Sequence, residues 1–70
     1  MAEQLQAALS ILRRKQVEAR TGLARSTIYD QIRAGTFPAP ISLGPRAVGW
    51  VESEIDGWLA ARVKQRQHAA

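Results

Sequence analysis

Cysteine is absent from this 70-residue sequence, so no disulfide bond supports the fold. The only histidine, His68, stands near the C-terminus without partner ligands, which argues against a structural zinc site. No run of about 18 apolar residues occurs, so no segment is expected to span a membrane. The first ten residues are too polar for a signal peptide. We therefore expect a cytoplasmic protein without a metal or another cofactor.

Catalytic groups are equally scarce. The sequence offers no cysteine nucleophile, and it places no carboxylate pair in an expected pocket. A single domain of this size also has a core too small to enclose a sizeable cavity. We expect neither an enzyme nor a receptor for a small molecule.

Acidic residues are outnumbered by basic residues, 6 to 10, which gives a formal net charge of +4. Eight of the ten basic residues are arginine, whose planar side chain suits bidentate contact with guanine or phosphate. Basic small domains often bind nucleic acid, but ribosomal and unrelated proteins are equally basic. The charge therefore favours a nucleic-acid partner without establishing one.

Two short helices joined by a turn are predicted between residues 15 and 35. We expect the first helix over Lys15–Thr21, ended by Gly22, because glycine adopts the left-handed conformation of a helix end. The second helix is expected over Arg25–Ala34, with Gly35 at its C-terminal end. A short helix, a turn containing glycine and a second helix form the helix-turn-helix pattern.

The second helix has an apolar side and a polar side. Ile28 and Ile32 lie one turn apart and are expected to face the core. The helical period places hydroxyl, carboxylate and guanidinium groups on the opposite side and its flank: Arg25, Ser26, Thr27, Tyr29, Asp30 and Arg33. Such groups bind base edges and phosphates. A solvated helix face has the same composition, so this pattern alone leaves both interpretations open.

A β-hairpin is predicted after this unit. The prolines at 38 and 40 exclude a helix there, and Phe37 is expected in the core at the bend. Residues 41–43 and 48–50 alternate apolar and polar, if Gly49 faces outward. The loop between them, a natural hairpin turn, contains Gly44, Pro45 and Arg46. Arg46 at the tip would contact a phosphate or a narrow minor groove, or would only discourage pairing at an exposed edge.

An amphipathic helix is predicted at the end of the chain. Its apolar stripe recurs at helical spacing: Val51, Ile55, Trp58, Leu59 and Val63. We expect Trp58 in the core and Trp50 packing the hairpin onto this helix. The resulting organisation is a tail or marginal helix over residues 1–10, a winged helix-turn-helix domain over 11–64 and a tail over 65–70.

Both predicted helices of the two-helix unit have unusual starts. Arg13, Arg14 and Lys15 open the first helix, where positive charge is unfavourable to the helix dipole. A DNA phosphate near Arg14 and Lys15 would relieve that cost, although a solvated charge run is the alternative. Ala24 occupies the cap position of the second helix and cannot cap it, so Ser26 or Thr27 could begin the helix later.

The run from Ala19 to Arg62 resembles the AlpA-type phage regulators, within the wider MerR-like excisionase group. Its segments TGLARSTIY, GTFPAPISLG and RAVGWVESEIDGWL follow in that family's order and spacing. The resemblance implies a mainly α, winged helix-turn-helix protein that binds double-stranded DNA. Such proteins act as excision factors (recombination directionality factors) that assist an integrase, as transcriptional regulators, or as both. It also implies that the second helix is the recognition helix, which contacts DNA through its polar side. The hairpin loop is then the DNA-binding wing, with Gly44, Pro45 and Arg46.

Two residues depart from the family pattern. Ala24 stands where the family usually has serine, which implies a weaker helix cap. Asp30 is acidic where many relatives carry a neutral or basic residue. Its carboxylate would repel a phosphate, accept a hydrogen bond from a cytosine amino group, or orient Arg33 three residues on. The sequence leaves these three roles open.

Self-association and partners are a separate question. True MerR regulators continue into a long dimerising helix with heptads, whereas no heptads follow Val63 here. We expect a monomer or weak oligomer, with side-by-side copies on DNA as the route to higher affinity. The alternative function is a protein-interaction adaptor that binds a partner such as an integrase.

Overall fold

The computed structural model describes residues 9–69, with side chains through residue 66. It contains three helices and three short strands: β1 (Ile11–Leu12), α1 (Arg14–Thr21), α2 (Arg25–Ala34), β2 (Ile41–Gly44), β3 (Ala47–Val51) and α3 (Glu52–Ala69). The fold is mainly α with a β-hairpin, as predicted, and is compatible with a winged helix-turn-helix. The predicted tail over residues 1–10 lies largely outside the described residues.

The helix-turn-helix unit has the predicted bounds, except that α1 begins one residue earlier, at Arg14. Gly22 and Gly35 end the two helices with φ angles of 75° and 79°. The N–H of Gly22 donates to the carbonyl of Glu18 at 2.8 Å. α2 begins at Arg25 with Ala24 in the cap position, so the later start at Ser26 or Thr27 is wrong.

Every helix and strand except β2 contributes to the buried core. Its buried members come from β1, α1, α2, the connector after α2, β3 and α3: Leu12, Val17, Ile28, Phe37, Trp50 and Ile55. Ile32 and Trp58 pack against this core but remain partly exposed. Burial of Ile28 and Phe37 was predicted and is confirmed.

α3 departs from its prediction at both ends of the apolar stripe. Val51 belongs to β3, and Val63 is 51% exposed. Residues 60–66 are all exposed, because this part of α3 extends past the core. The helix also continues to Ala69, beyond the predicted boundary at residue 64. Among the described residues, no helix has the length and apolar character needed to cross a membrane.

The strands form one antiparallel sheet in the order β1-β3-β2. Leu12 pairs with Trp50, and Ile41 pairs with Gly49. Gly49 faces away from Trp50, but the predicted outward position is wrong, because the Ile11 side chain of β1 covers Gly49 and leaves it buried. β1 was not predicted, since two residues are too few to show a strand period.

The two tryptophans hold the connector between α2 and the hairpin. The indole N–H of Trp50 donates to the carbonyl of Pro38 at 3.0 Å, and that of Trp58 donates to the carbonyl of Thr36 at 2.7 Å. The rings of Phe37 and Trp58 meet edge to face at 4.8 Å. Trp50 therefore ties the hairpin to this connector as well as filling the core.

Two ion pairs made by one arginine join α1 to α3. The guanidinium of Arg20 donates to Glu52 at 2.5 Å and to Asp56 at 2.7 Å. Desolvation alone would lower the pKa of Arg20, but the hydrogen bonds to these carboxylates and their attraction outweigh it, so the pKa is raised. One residue at the end of α1 is thus paired with two acidic groups in the first turns of α3.

Candidate nucleic-acid interface

The polar side of α2 faces outward. Arg25, Ser26, Thr27, Asp30 and Arg33 are exposed, whereas Ile28 on the opposite side is fully buried. An open depression of about 590 Å³ follows this side of the helix, lined by Ala24, Arg25, Ser26, Tyr29, Asp30 and Arg33. The predicted orientation of α2 is therefore confirmed, and Thr27 is the one predicted α2 residue outside the depression.

Aromatic stacking positions Arg25 at the start of this surface. Its guanidinium lies 5.5 Å from the centre of the Tyr29 ring. Tyr29 in turn meets the buried Trp50 ring edge on, at 6.3 Å. A cation–π contact at an exposed site contributes about 0.5–1 kcal/mol. The core thus supports Tyr29, and Tyr29 supports one of the two arginines on the surface.

A second depression, of about 430 Å³, lies between α1 and the hairpin tip. Its lining joins four basic side chains to one aromatic and one aliphatic residue: Arg13, Arg14, Lys15, Arg46, Tyr29 and Val48. We call it the basic cleft. Tyr29 lines both depressions, so the basic cleft and the polar side of α2 form adjoining parts of one surface.

The charges of the basic cleft are only partly compensated. Arg14 is ion-paired with Glu18 on the next turn of α1. No acidic side chain lines the cleft among the described residues. Four cations with one nearby carboxylate leave a site that attracts an anion such as phosphate.

Some of the predicted hairpin and α1 residues line the basic cleft, and others do not. Arg14, Lys15 and Arg46 share the basic cleft, while Gly44 and Pro45 shape the turn without lining it. Sequence reasoning did not assign Arg13 or Val48 to a site. The basic run at residues 13–15 was the available signal for Arg13, but its proximity to Arg46 requires the folded chain.

Asp30 and Arg33 form an ion pair on the exposed side of α2. Nη2 of Arg33 donates to Oδ1 of Asp30, and their side chains are 72% and 65% exposed. The pair lowers the net positive charge of this side. Among the described residues, no group of three or more histidine, cysteine or acidic side chains is arranged to hold a metal ion.

Comparisons with known proteins agree with the resemblance stated above. A family model described as the prophage CP4-57 regulatory protein (AlpA) matches residues 10–63. The DNA-binding transcriptional activator AlpA of Escherichia coli (strain K12) is 46% identical over 63 residues, covering 81% of this chain and 90% of that protein. The uncharacterized protein ORF88 of Enterobacteria phage P4 is 50% identical over 46 residues, covering 66% of this chain. This chain spans about half of the ORF88 length, 52%. It belongs to the AlpA family of prophage regulatory proteins.

Proposed function

We propose that this protein is a sequence-specific, double-stranded DNA-binding regulator of a prophage or integrative element. The observation that carries the proposal is the exposed polar side of α2, which is backed by the buried Ile28 and adjoins the basic cleft. The 46% identity to the Escherichia coli relative, which is named a DNA-binding transcriptional activator, supports the same function.

The dimensions of α2 suit the major groove. A helix with its side chains is about 10–12 Å across, and the major groove is about 12 Å wide, so α2 (Arg25–Ala34) fits across it. In this arrangement Arg25, Ser26 and Arg33 contact base edges. Arg14 and Lys15 contact phosphates, and Arg46 contacts a phosphate or the minor groove. Phosphate contacts position a protein on the duplex, and base contacts specify the sequence.

Transcriptional control and excision would use the same surface. An excision factor binds near attachment sites and assists an integrase, while a transcriptional regulator binds at promoters. We propose that copies of this protein bind side by side in either case, because one small module contacts few phosphates.

The proposal is tested by measuring binding to duplex DNA at low salt and by mapping protected sequence across the ends and promoters of the element. Protection at promoters assigns transcriptional control, and protection beside attachment sites assigns excision. Repeated, adjacent protected segments would indicate side-by-side copies. A pure, folded sample that ignores duplex DNA at low salt but captures an integrase would overturn the proposal in favour of the adaptor.

Arg33→Ala provides a residue-level test on the protected sequence. We expect it to relax base preference at one or two positions, at a cost of about 1–3 kcal/mol for the preferred base. Lys64→Ala removes the same charge from the exposed end of α3 and lines neither depression, so preference should be retained. Uniform loss of affinity across all sequences would assign Arg33 to phosphate contact instead.

A further inference from the structure

Among the three roles that the sequence leaves open for Asp30, the observed ion pair favours one. We propose that Asp30 is a positioning residue that holds the Arg33 guanidinium for guanine readout, so that the two side chains recognise one base pair as a unit. The inference rests on the proposed DNA-binding function and identifies how its surface discriminates among sequences.

Fold stability does not account for the pair. Both side chains are mostly exposed, and an exposed pair three residues apart on a helix contributes little to folding. Asp30 also places a negative charge on the surface that would face a polyanion. That charge weakens contact with phosphates at every sequence, so any benefit of the carboxylate to binding must arise from discrimination.

The hydrogen-bonding capacity of arginine permits the arrangement. A guanidinium has five N–H donors, and the Asp30 carboxylate engages Nη2 of Arg33. The remaining donors can reach O6 and N7 of a guanine, the commonest specific contact in the major groove. A long side chain held in one orientation before binding loses less conformational freedom when it meets the base.

The other arginine on this side of α2 is held differently. Arg25 stacks on Tyr29, and no carboxylate partner is found for it among the residues that the structure describes. Asp30 is therefore matched to Arg33 alone. If Asp30 instead read a cytosine independently of Arg33, the losses of preference from removing the two side chains would be additive.

The experiment compares the unaltered protein with Asp30→Ala, Arg33→Ala and the double variant. Each is titrated with the protected duplex, with single-base-pair variants of it and with a nonspecific duplex. We expect Asp30→Ala and Arg33→Ala to relax preference at the same base pair. The loss with Arg33→Ala should be about 5- to 150-fold in discrimination, and the double variant should lose no more than Arg33→Ala. Asp30→Ala should also bind the nonspecific duplex more tightly.

Glu54→Gln is the matched control. It makes the same change in net charge at an exposed acidic residue of α3 that lines neither depression. It should strengthen nonspecific binding without changing base preference. Asp30→Asn, which keeps the side-chain shape and an acceptor oxygen, should lose less preference than Asp30→Ala. Thermal unfolding verifies that each variant is folded.

Two results would overturn the inference while leaving the proposed function intact. The first is a sequence-specific protein in which Asp30→Ala keeps full preference. The second is additive losses in the double variant, whether or not Asp30→Ala and Arg33→Ala affect the same base pair. Absence of duplex binding by the unaltered protein overturns the proposed function and this inference together.

Discussion

The missing side chain of Gly49 lets neighbouring residues of the sheet pack closely against β3. A methyl group added there would overlap the Ile11 side chain and would lie 3.0 Å from Cδ1 of Leu43 and 3.2 Å from the Leu12 carbonyl oxygen. Contacts this close force neighbouring groups to move. The position therefore requires glycine for space, although its backbone conformation is ordinary.

We expect Gly49→Ala to lower the free energy of unfolding by about 1–3 kcal/mol, because overpacking displaces β1 against β3. Thermal and urea unfolding measure the change. The loss should shrink in an Ile11→Ala background, where the overlapping methyl is gone.

Gly57→Ala is the control, since glycine at this interior position of α3 has no atom of the described residues near its missing methyl. Alanine there should raise stability by about 1 kcal/mol, the difference in helix propensity. Equal effects of the two substitutions would contradict the packing role of Gly49.

For single residues, the sequence predicts which side of a strand or helix a residue faces better than it predicts what packs against that side. Alternation with Trp50 assigned Gly49 to the opposite side of the strand, as the structure shows. What covers that side is Ile11, 38 residues earlier in the chain, and local periodicity carries no information about that contact. Ile28 and Phe37 were predicted correctly because helix period and proline positions are local signals.

α2 is the element whose start has the weakest local support. Ala24 has the extended conformation of a cap residue, with φ −76° and ψ 160°, yet it has no side-chain oxygen. The first turn of α2 also lacks an acidic residue to complement the helix dipole. The position of α2 therefore depends on burial of Ile28 and on Tyr29 packing rather than on its own N-terminus.

Ala24→Ser should raise the free energy of unfolding by about 1 kcal/mol, because the hydroxyl can accept a hydrogen bond from the N–H of Ser26 or Thr27. For a domain of this size that corresponds to about 4–8 °C in the melting temperature. Circular dichroism on heating measures the shift.

Ala60→Ser is the matched substitution at an exposed position inside α3, where serine should lower stability slightly through its helix propensity. A shift of the same sign and size at both positions would show that capping is not the cause at Ala24.

Helix ends in this chain were predictable to within a residue where glycine marks them. Gly22 and Gly35 give that signal, and α2 has the predicted bounds. The end of α3 has no such mark, and the helix runs to Ala69, within the stretch expected to be a tail. The sequence could not show that α3 continues beyond the core, since its apolar stripe runs to Val63 whether or not anything covers that residue.

The whole molecule separates its charges. Arg20 pairs with the carboxylates of Glu52 and Asp56 between α1 and α3, while the basic cleft gathers Arg13, Lys15 and Arg46. The positive side chains therefore collect at two places, the basic cleft and the exposed end of α3, which carries Arg62, Lys64 and Arg66. The individual basic residues were named from the sequence, but the meeting of α1 with the hairpin tip depends on the sheet register and could not be read from it.

Duplex binding should weaken steeply with salt, because each neutralised phosphate releases counterions. Arg46→Ala should make the slope of log K against log salt shallower by about 1, the loss of one phosphate contact. Titrations at several salt concentrations measure the slope.

Lys64→Ala serves as the comparison, with equal charge loss outside the basic cleft. It should change the slope less than Arg46→Ala does. An unaltered slope for Arg46→Ala would remove this residue from the backbone contacts.

The indole hydrogen bonds of Trp50 and Trp58 act on the same short connector, one at Pro38 and the other at Thr36. They set the spacing between α2 and the hairpin tip in the free protein. If a duplex binds as proposed, α2 and the hairpin tip are already at their binding distance. The protein backbone then loses little conformational entropy on association. A duplex whose grooves do not match this spacing then binds more weakly because of its shape, independently of its base sequence.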